Sequence, residues 1–186
     1  MSRTKTYAPL NIYMNGRQVG LLSKSPGGET RFSYTLDWIN WSGAMPVSLS
    51  LPLQEKPHSG GAVISFFDNL LPDSVAVLKS IAERVGANGI DAYSLLSAIG
   101  RDCVGALQFI PEGMEEEVNN TEDAIPLDED QIEGILKNLE RAPLGIETDG
   151  GFRISLAGAQ EKAAFLWKDG GWQQPLGMTP TTHIFK

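Results

Sequence analysis

A predicted β-hairpin near the N-terminus constrains the fold more than any other stretch. Leu10–Met14 alternates apolar and polar residues and runs into Asn15-Gly16, and residues 17–23 read as the returning strand. An Asn-Gly pair between alternating runs is a strong signal for a two-residue hairpin turn. Residues 31–36 have the same period and are rich in aromatic and β-branched side chains. The sequence therefore predicts an antiparallel sheet at the start of the domain.

The hydrophobic period becomes helical further along the chain. Apolar residues recur at helical spacing between residues 73 and 85, Asp73 or Ser74 can cap the start, and Gly86 can end the helix. The elements predicted here are an apolar helical turn at 66–71 that breaks before Pro72, helices at 73–85 and 91–99, the second closed by Gly100, and a strand at 102–110 that returns to the first sheet.

The acidic charge of the chain is concentrated in one segment. The net charge is −8, and residues 112–150 contain thirteen acidic and two basic residues. Such a run is usually a solvated surface or a linker. Residues 121–126 have little to pack, whereas 128–141 predict an amphipathic helix. Its apolar stripe consists of Ile132, Ile135, Leu136 and Leu139.

Composition argues against several classes of protein. The sequence has no apolar run near 18 residues and no basic-then-apolar signal pattern, so we expect a soluble cytoplasmic protein without a membrane segment. The lone Cys103 cannot form an internal disulfide and is expected to be a small buried residue. No Cys or His cluster has metal-ligand spacing, so no metal site is predicted. The sequence contains no stripe of Lys and Arg residues that would predict direct DNA binding.

The pattern from residue 152 to residue 186 is typical of a phosphate-binding loop followed by a lysine. A strand-like run at 152–156 leads into the small-residue turn 157–162, a second apolar run follows at 163–167, and a later strand ends in Lys186. Small residues around Gly158 let backbone N–H groups approach a phosphate, and a lysine held by a strand can offset the remaining charge. By spacing alone, a plain hairpin with a surface lysine is the favoured alternative. Glu161 and Lys162 could equally be an exposed charge pair.

Three stretches resemble the HipA family, the toxin kinases of bacterial type II toxin–antitoxin systems. Residues 154–162 (I-S-L-A-G-A-Q-E-K) are similar to the family's loop motif, and residues 180–186 (P-T-T-H-I-F-K) to the segment that ends in its nucleotide-binding lysine. Residues 67–73 (F-D-N-L-L-P-D) are similar to a motif of the family's N-terminal domain. The resemblance spans nearly the whole chain, and the loop signature is much more specific than a bare glycine-rich loop.

Together, the patterns and the resemblance predict an α+β fold with three parts. Residues 1–111 form a mostly antiparallel β N-terminal domain with short helices. Residues 112–150 are an acidic segment with one amphipathic helix. Residues 151–186 are the beginning of a protein-kinase-like N-lobe.

The resemblance also implies which residues form the nucleotide site. Ser155 is implied as the serine that these kinases autophosphorylate, and its modification would remove the loop from the site; an ordinary strand serine is the alternative. A phosphate with a charge of about −1.5 to −2 cannot easily share a small anion site with ATP. The implied nucleotide-binding residues are Ala157, Gly158, Ala159, Gln160, Glu161, Lys162 and Lys186.

The implied function is that of a serine/threonine protein kinase toxin that uses ATP and Mg²⁺. Its implied substrate is a translation-related protein such as an aminoacyl-tRNA synthetase. A HipB-like helix-turn-helix antitoxin would neutralise it and would read operator DNA in its place. No H-R-D or D-F-G equivalent occurs, so no catalytic residue is predicted, and we expect an N-terminal part that is inactive alone. The alternative is a non-catalytic binding module that contacts the antitoxin or a separate kinase chain.

The histidines and tryptophans give weaker indications. His183 is expected to be a packed strand residue and not a base, and His58 has no predicted partner. The four tryptophans are expected in the core or in an interface.

Overall fold

The computed structural model describes residues 6–101, 106–115, 123–138, 162–176 and 179–185. Cys103, Leu139 and the predicted strand at 152–156 lie outside these ranges. Two antiparallel sheets and five short helices are found in the described part of the chain. The predicted α+β class is therefore confirmed, with a second antiparallel sheet in the region predicted to begin a kinase-like N-lobe.

The first sheet has the strand order β4-β3-β2-β1-β5, and all its neighbouring strands are antiparallel. The predicted hairpin is confirmed, because Asn15 and Gly16 both have positive φ angles, 49° and 73°, in the turn between β1 and β2. The predicted return of a strand after residue 102 to this sheet is also confirmed. The strands are β1 (Leu10–Met14), β2 (Arg17–Lys24), β3 (Thr30–Tyr34), β4 (His58–Ser59) and β5 (Gln108–Pro111).

The third strand is shorter than its period-two pattern predicted. It ends at Tyr34, because the Thr35 hydroxyl accepts a hydrogen bond from the Trp38 backbone N–H and caps helix α1 (Leu36–Ile39). The prediction of a strand to residue 36 is therefore wrong at its end. The short strand β4 was not predicted.

Three helices follow, and the caps of two of them, α3 and α4, match the sequence signals. Helix α3 (Val75–Val85) begins after Ser74, whose hydroxyl accepts from the Val77 N–H, and ends at Gly86 in the left-handed conformation. Helix α4 (Ala92–Ile99) is capped by Asp91 and followed by Gly100. Helix α2 (Gly61–Asp68) begins five residues before the predicted helical turn.

Phe67 of α2 joins the helices to the first sheet. Its side chain is 1% exposed, and its ring centroid lies 5.8 Å from that of Phe32 on β3 and 5.9 Å from that of Phe109 on β5. Edge-to-face rings at these distances add to the free energy gained by burying apolar surface. Phe67 therefore connects a central strand with an edge strand.

The long connection before β4 is held by buried polar groups. Tyr34 Oη donates to the Leu51 carbonyl at 2.5 Å and accepts from the Val47 N–H at 2.9 Å. His58 Nε2 lies 2.9 Å from the Pro52 carbonyl, and its ring stacks on Phe32. The sequence predicted no partner for His58, and the structure provides these two.

The second sheet has the strand order β6-β8-β7-β9, again antiparallel throughout. Residues 121–126 were expected to have little to pack, and the side chains of β6 are indeed exposed or half-buried. The strand itself was not predicted and forms by backbone pairing with β8. The predicted amphipathic helix is confirmed as α5, with Ile132 buried. The elements are β6 (Asp123–Leu127), α5 (Glu129–Asn138), β7 (Ala163–Lys168), β8 (Gly171–Leu176) and β9 (His183–Phe185).

The predicted division at residues 111 and 150 stays a prediction, although β6 comes from the acidic segment and pairs with a strand beyond it. None of the described helices is long and apolar enough to cross a membrane.

We expect Gly20→Ala to destabilise the protein by about 1–3 kcal/mol. A Cβ at this position of β2 would lie 2.7 Å from Phe32 Cε2 and would also press on the Ser33 carbonyl, so the central strands would have to shift. Urea unfolding monitored by circular dichroism measures the change in the free energy of unfolding.

Gly61→Ala is the matched control, because its Cβ would meet nothing within 4 Å at the start of α2. We expect this variant to be neutral or slightly more stable. Equal stability of the two variants would contradict the packing explanation.

Candidate nucleotide-binding site

The register of β7 and β9 brings together the two segments that carry the predicted site. Ala163 pairs with Phe185, Ala164 with Ile184 and Phe165 with His183. Ala163 directly follows the small-residue turn 157–162, and Phe185 directly precedes Lys186. The strand that leaves the loop and the strand that leads to the lysine are therefore neighbours, with those two ends side by side.

Most of the predicted site residues lie outside the described part of the chain. Only Lys162 is described; it is half-buried and directly precedes β7. The assigned roles therefore stay predictions. The site residues outside the described ranges are Ser155, Ala157, Gly158, Ala159, Gln160, Glu161 and Lys186.

One face of the second sheet carries an aromatic cluster. Strand alternation and pairing place five rings on this face, and Trp172 on β8 contacts three of them, with centroids 4.7 to 5.1 Å away. The packing of these rings stabilises β7, β8 and β9 against one another. The cluster consists of Phe165, Trp167, Trp172, His183 and Phe185.

His183 belongs to this cluster but is not buried. Its ring packs edge-on against Trp172 at 4.9 Å, and its Nδ1 lies 2.8 Å from Thr182 Oγ1. The histidine side chain remains exposed. The predicted packing of His183 is thus found as a ring contact at the surface.

The opposite face of β7 and β9 is small and apolar next to the loop. Ala164 and Ile184 pair there, and Ile184 is 52% exposed. This face therefore leaves an exposed apolar side chain close to the end of β7 that follows the loop.

Two threonines in the β8–β9 connection hold the strands together and were not found from the sequence. Thr179 is fully buried and bonds the backbone of Asp123 on β6, and Thr182 bonds the backbone of β7. The only sequence signal is the run P-T-T, and threonine is also a common surface residue of strands.

The described carboxyl groups do not form a metal site. No group of three or more His, Cys, Asp or Glu side chains that could hold a metal ion occurs among the described residues.

Perturbed carboxyl groups are found in the first sheet and its helices. Partial desolvation of its carboxyl group, followed by the nearby charge of Asp91, raises the pKa of Asp68, which belongs to the F-D-N-L-L-P-D motif. Burial alone would also raise the pKa of Asp91, but hydrogen bonds from Lys24 and Ser94 and the charge of Lys24 outweigh it and lower that pKa. The Lys24 ammonium lies 2.7 Å from Asp91 Oδ1 and over the rings of Tyr7 and Tyr93.

The motif itself fills the core with its apolar residues. Phe67 and Leu71 are buried, whereas Asp68 is exposed. The likeness in this stretch is therefore explained in part by packing of α2.

The ion pair of Lys24 with Asp91 connects β2 to the start of α4.

Comparison with known proteins identifies the family. A profile of the HipA N-terminal domain (Couple_hipA) matches residues 10–110, more than half of the chain. The chain belongs to the HipA family. The matched residues run from the start of β1 to the third residue of β5, so they include nearly the whole first sheet and helices α1 to α4.

Individual relatives extend the likeness beyond this domain. A Sinorhizobium fredii protein named "Putative kinase Y4mE" is 36% identical over 184 residues, which are 97% of this chain and 43% of that protein. The Shewanella oneidensis protein named "Serine/threonine-protein kinase toxin HipA" is 27% identical over 187 residues, 100% of this chain and 41% of that protein.

A solved structure is similar over nearly the whole chain. It is the complex of HipA, HipB and operator DNA from Shewanella oneidensis MR-1, with a TM-score of 0.66 and 25% identity, covering 94% of this chain and 39% of that one. The chain thus spans about two fifths of the length of each of these three proteins.

We expect Asp91→Asn to weaken the acid dependence of stability. The lowered pKa of Asp91 means that its carboxylate stabilises the fold above the unfolded-state pKa of about 3.9 and that this contribution disappears as the pH falls through the folded-state value. Because Asp91 is about half exposed and screened by solvent, we expect a loss of at most about 1 kcal/mol at pH 7. Asparagine can still cap α4.

Urea unfolding at pH 7 and at low pH measures this effect. The variant should be less stable than the unsubstituted chain at pH 7 and equally stable at about pH 2. Asp73→Asn, which replaces an exposed carboxylate just before α3, is the control and should change little. A pH-independent loss in Asp91→Asn would contradict the ion-pair explanation.

Proposed function

We propose that this chain is the N-terminal portion of a HipA-like serine/threonine protein kinase toxin and that residues 157–162 and Lys186 bind ATP. The observation that carries the proposal is the pairing of Ala163 with Phe185, which brings the strand after the loop beside the strand before the lysine. A plain hairpin would need β7 to pair with β8 alone.

The chemistry of each part supports nucleotide binding. Gly158 and its alanine neighbours allow backbone N–H groups to donate to phosphate oxygens, since no large side chain blocks the approach. The Lys186 ammonium would offset part of the polyphosphate charge. Lys162 stands at the described end of the loop and would add a second positive charge. The face of Ala164 and Ile184 suits the base.

Ser155 is the proposed site of autophosphorylation. It lies within the loop signature, three residues before Gly158. A phosphate there would bring negative charge to the site that is meant for the ATP phosphates. Modification of Ser155 would therefore switch the kinase off.

Phosphoryl transfer is proposed for the longer protein. A kinase needs an aspartate that orients the acceptor hydroxyl, together with groups that hold Mg²⁺, and neither set is recognised in this sequence. Mg²⁺ would neutralise charge on the transferred phosphate when bound. We expect the chain alone to be inactive in transfer.

The partners are proposed from the similar complex. Its title names HipB and operator DNA together with HipA. We propose that a HipB-like antitoxin neutralises this protein and that DNA is bound through the antitoxin, which agrees with the net charge of −8. The proposed substrate is a translation-related protein such as an aminoacyl-tRNA synthetase, and the proposed location is the cytoplasm.

Several exposed apolar side chains favour a second candidate function, that of a non-catalytic binding module for the antitoxin or for a separate kinase chain. They lie on α1 and in the loop after it, and the Arg17 guanidinium lies 4.5 Å from the Trp41 ring centre. These exposed residues are Leu36, Trp41, Met45 and Leu49. Kinase activity of the full-length protein separates the two candidates, because a binding module would transfer no phosphate.

We expect Lys186→Met in the full-length protein to weaken ATP binding about 10- to 100-fold, the effect of losing one charge-assisted interaction. Fluorescence titration with a labelled ATP analogue measures the affinity. Lys168→Met is the control, since Lys168 is exposed at the far end of β7. Equal affinities of the two variants would exclude Lys186 from the site.

We expect Ser155→Asp to weaken ATP binding at least about tenfold, because a carboxylate would repel the phosphates. Ser155→Ala should retain the affinity of the unsubstituted protein and should lose labelling by γ-phosphate. ATP binding by Ser155→Asp as tight as that of the unsubstituted protein would contradict the proposed switch.

A further inference from the structure

Strand β9 is short. It has three residues and, among the described strands, pairs with β7 alone, while the rings of His183 and Phe185 contact Trp172 on β8 and Phe165 on β7. The chain leaves β8 at Leu176 and must pass the end of β7 before it enters β9 at His183. The position of β9 along β7 therefore depends on the contacts that fix this connection.

Thr182 fixes the connection at β7. Its backbone N–H donates to the Phe165 carbonyl at 2.9 Å, and its Oγ1 accepts from the Trp167 N–H at 2.7 Å. If the β7–β9 pairing continued, a backbone carbonyl would accept the hydrogen bond from the Trp167 N–H. The Thr182 hydroxyl takes the place of that carbonyl. Bonds to two alternate residues of β7 define one register for the strand that comes next.

Thr179 fixes the same connection at the opposite edge. Its Oγ1 donates to the Asp123 carbonyl at 2.6 Å and accepts from the Asp123 N–H at 2.7 Å. Its own N–H donates to the Leu176 carbonyl at 3.0 Å. The connection is therefore hydrogen-bonded to β6 through Thr179 and to β7 through Thr182, which leaves it little freedom to shift along the strands.

We propose that Thr182 is a positioning residue for the nucleotide site. By fixing the register of β9, its hydroxyl helps to place Phe185, the residue before Lys186 in the chain, opposite Ala163, the residue after the loop. A slip of one residue would turn the side chains of β9 to the other face, and a slip of two would move them about 7 Å along β7. The link to nucleotide binding rests on the proposed function.

The test compares Thr182→Val, which removes the hydroxyl and keeps the shape, with Thr182→Ser, which keeps the hydroxyl. Thr181→Val is the matched control, because the Thr181 side chain makes no hydrogen bond in the part of the chain that the structure describes. Two quantities are measured on the full-length protein: amide hydrogen exchange at Trp167 by NMR, and affinity for a labelled ATP analogue.

We expect Thr182→Val to exchange the Trp167 amide about tenfold faster and to bind the analogue about tenfold more weakly, the scale of one lost hydrogen bond. Thr182→Ser should restore both quantities, and Thr181→Val should change neither. If Thr182→Val does not fold, Thr182→Ala gives the same comparison with Thr182→Ser.

The outcomes separate this inference from the proposed function. Unchanged protection of Trp167 in Thr182→Val, or a Thr182→Ser variant that behaves like Thr182→Val, would overturn the role of the hydroxyl. Faster exchange with unchanged affinity would overturn the link to Lys186. If the unsubstituted protein binds no ATP, the proposed function fails, while the exchange measurement still decides whether the hydroxyl holds the register.

Discussion

Both sheets depend on two-residue turns whose backbone angles match the twist of the strands that they join. Asn15 and Gly16 connect β1 to β2, and Asp169 and Gly170 connect β7 to β8, all with positive φ. Such turns set the register of the hairpin and thereby decide which side chains face inward. In the first sheet the register shifts by one residue between Tyr13 and Ile12, and beyond this β-bulge Leu10, Ile12 and Leu22 lie in the core. In the second sheet the turn aligns Trp167 with Trp172.

Local signals predicted much of the fold because they act within a few residues. The caps of α3 and α4 depend on Ser74 and Asp91, and each bonds an N–H three residues later. The missed elements depend on distant partners instead. Strand β4 has two residues and exists through pairing with β3, and β6 lies in an acidic segment without an apolar pattern and pairs with β8. No local pattern reports such pairing.

The candidate site was predictable in chemistry but not in arrangement. Gly158 and Lys186 can be chosen from the sequence because small residues and a cation suit a phosphate, and the family resemblance assigns their roles. The threonines that hold the connection could not be identified from the sequence. A threonine gives the same sequence signal whether its hydroxyl faces water or accepts a hydrogen bond from the Trp167 N–H. Their importance depends on β7 and β6, which are distant in the chain.

The order of the strands bears directly on the choice between a phosphate site and a plain hairpin. In a plain hairpin, β7 and β8 would form their backbone hydrogen bonds with each other. A lysine after a later strand would then have no defined distance from the loop. Here the chain crosses β7, so that β9 pairs on its other edge and Phe185 stands beside Ala163. Three residues form few ladder hydrogen bonds, so β9 is also held beside β7 by the ring contacts of His183 and Phe185 and by the bonds of Thr182.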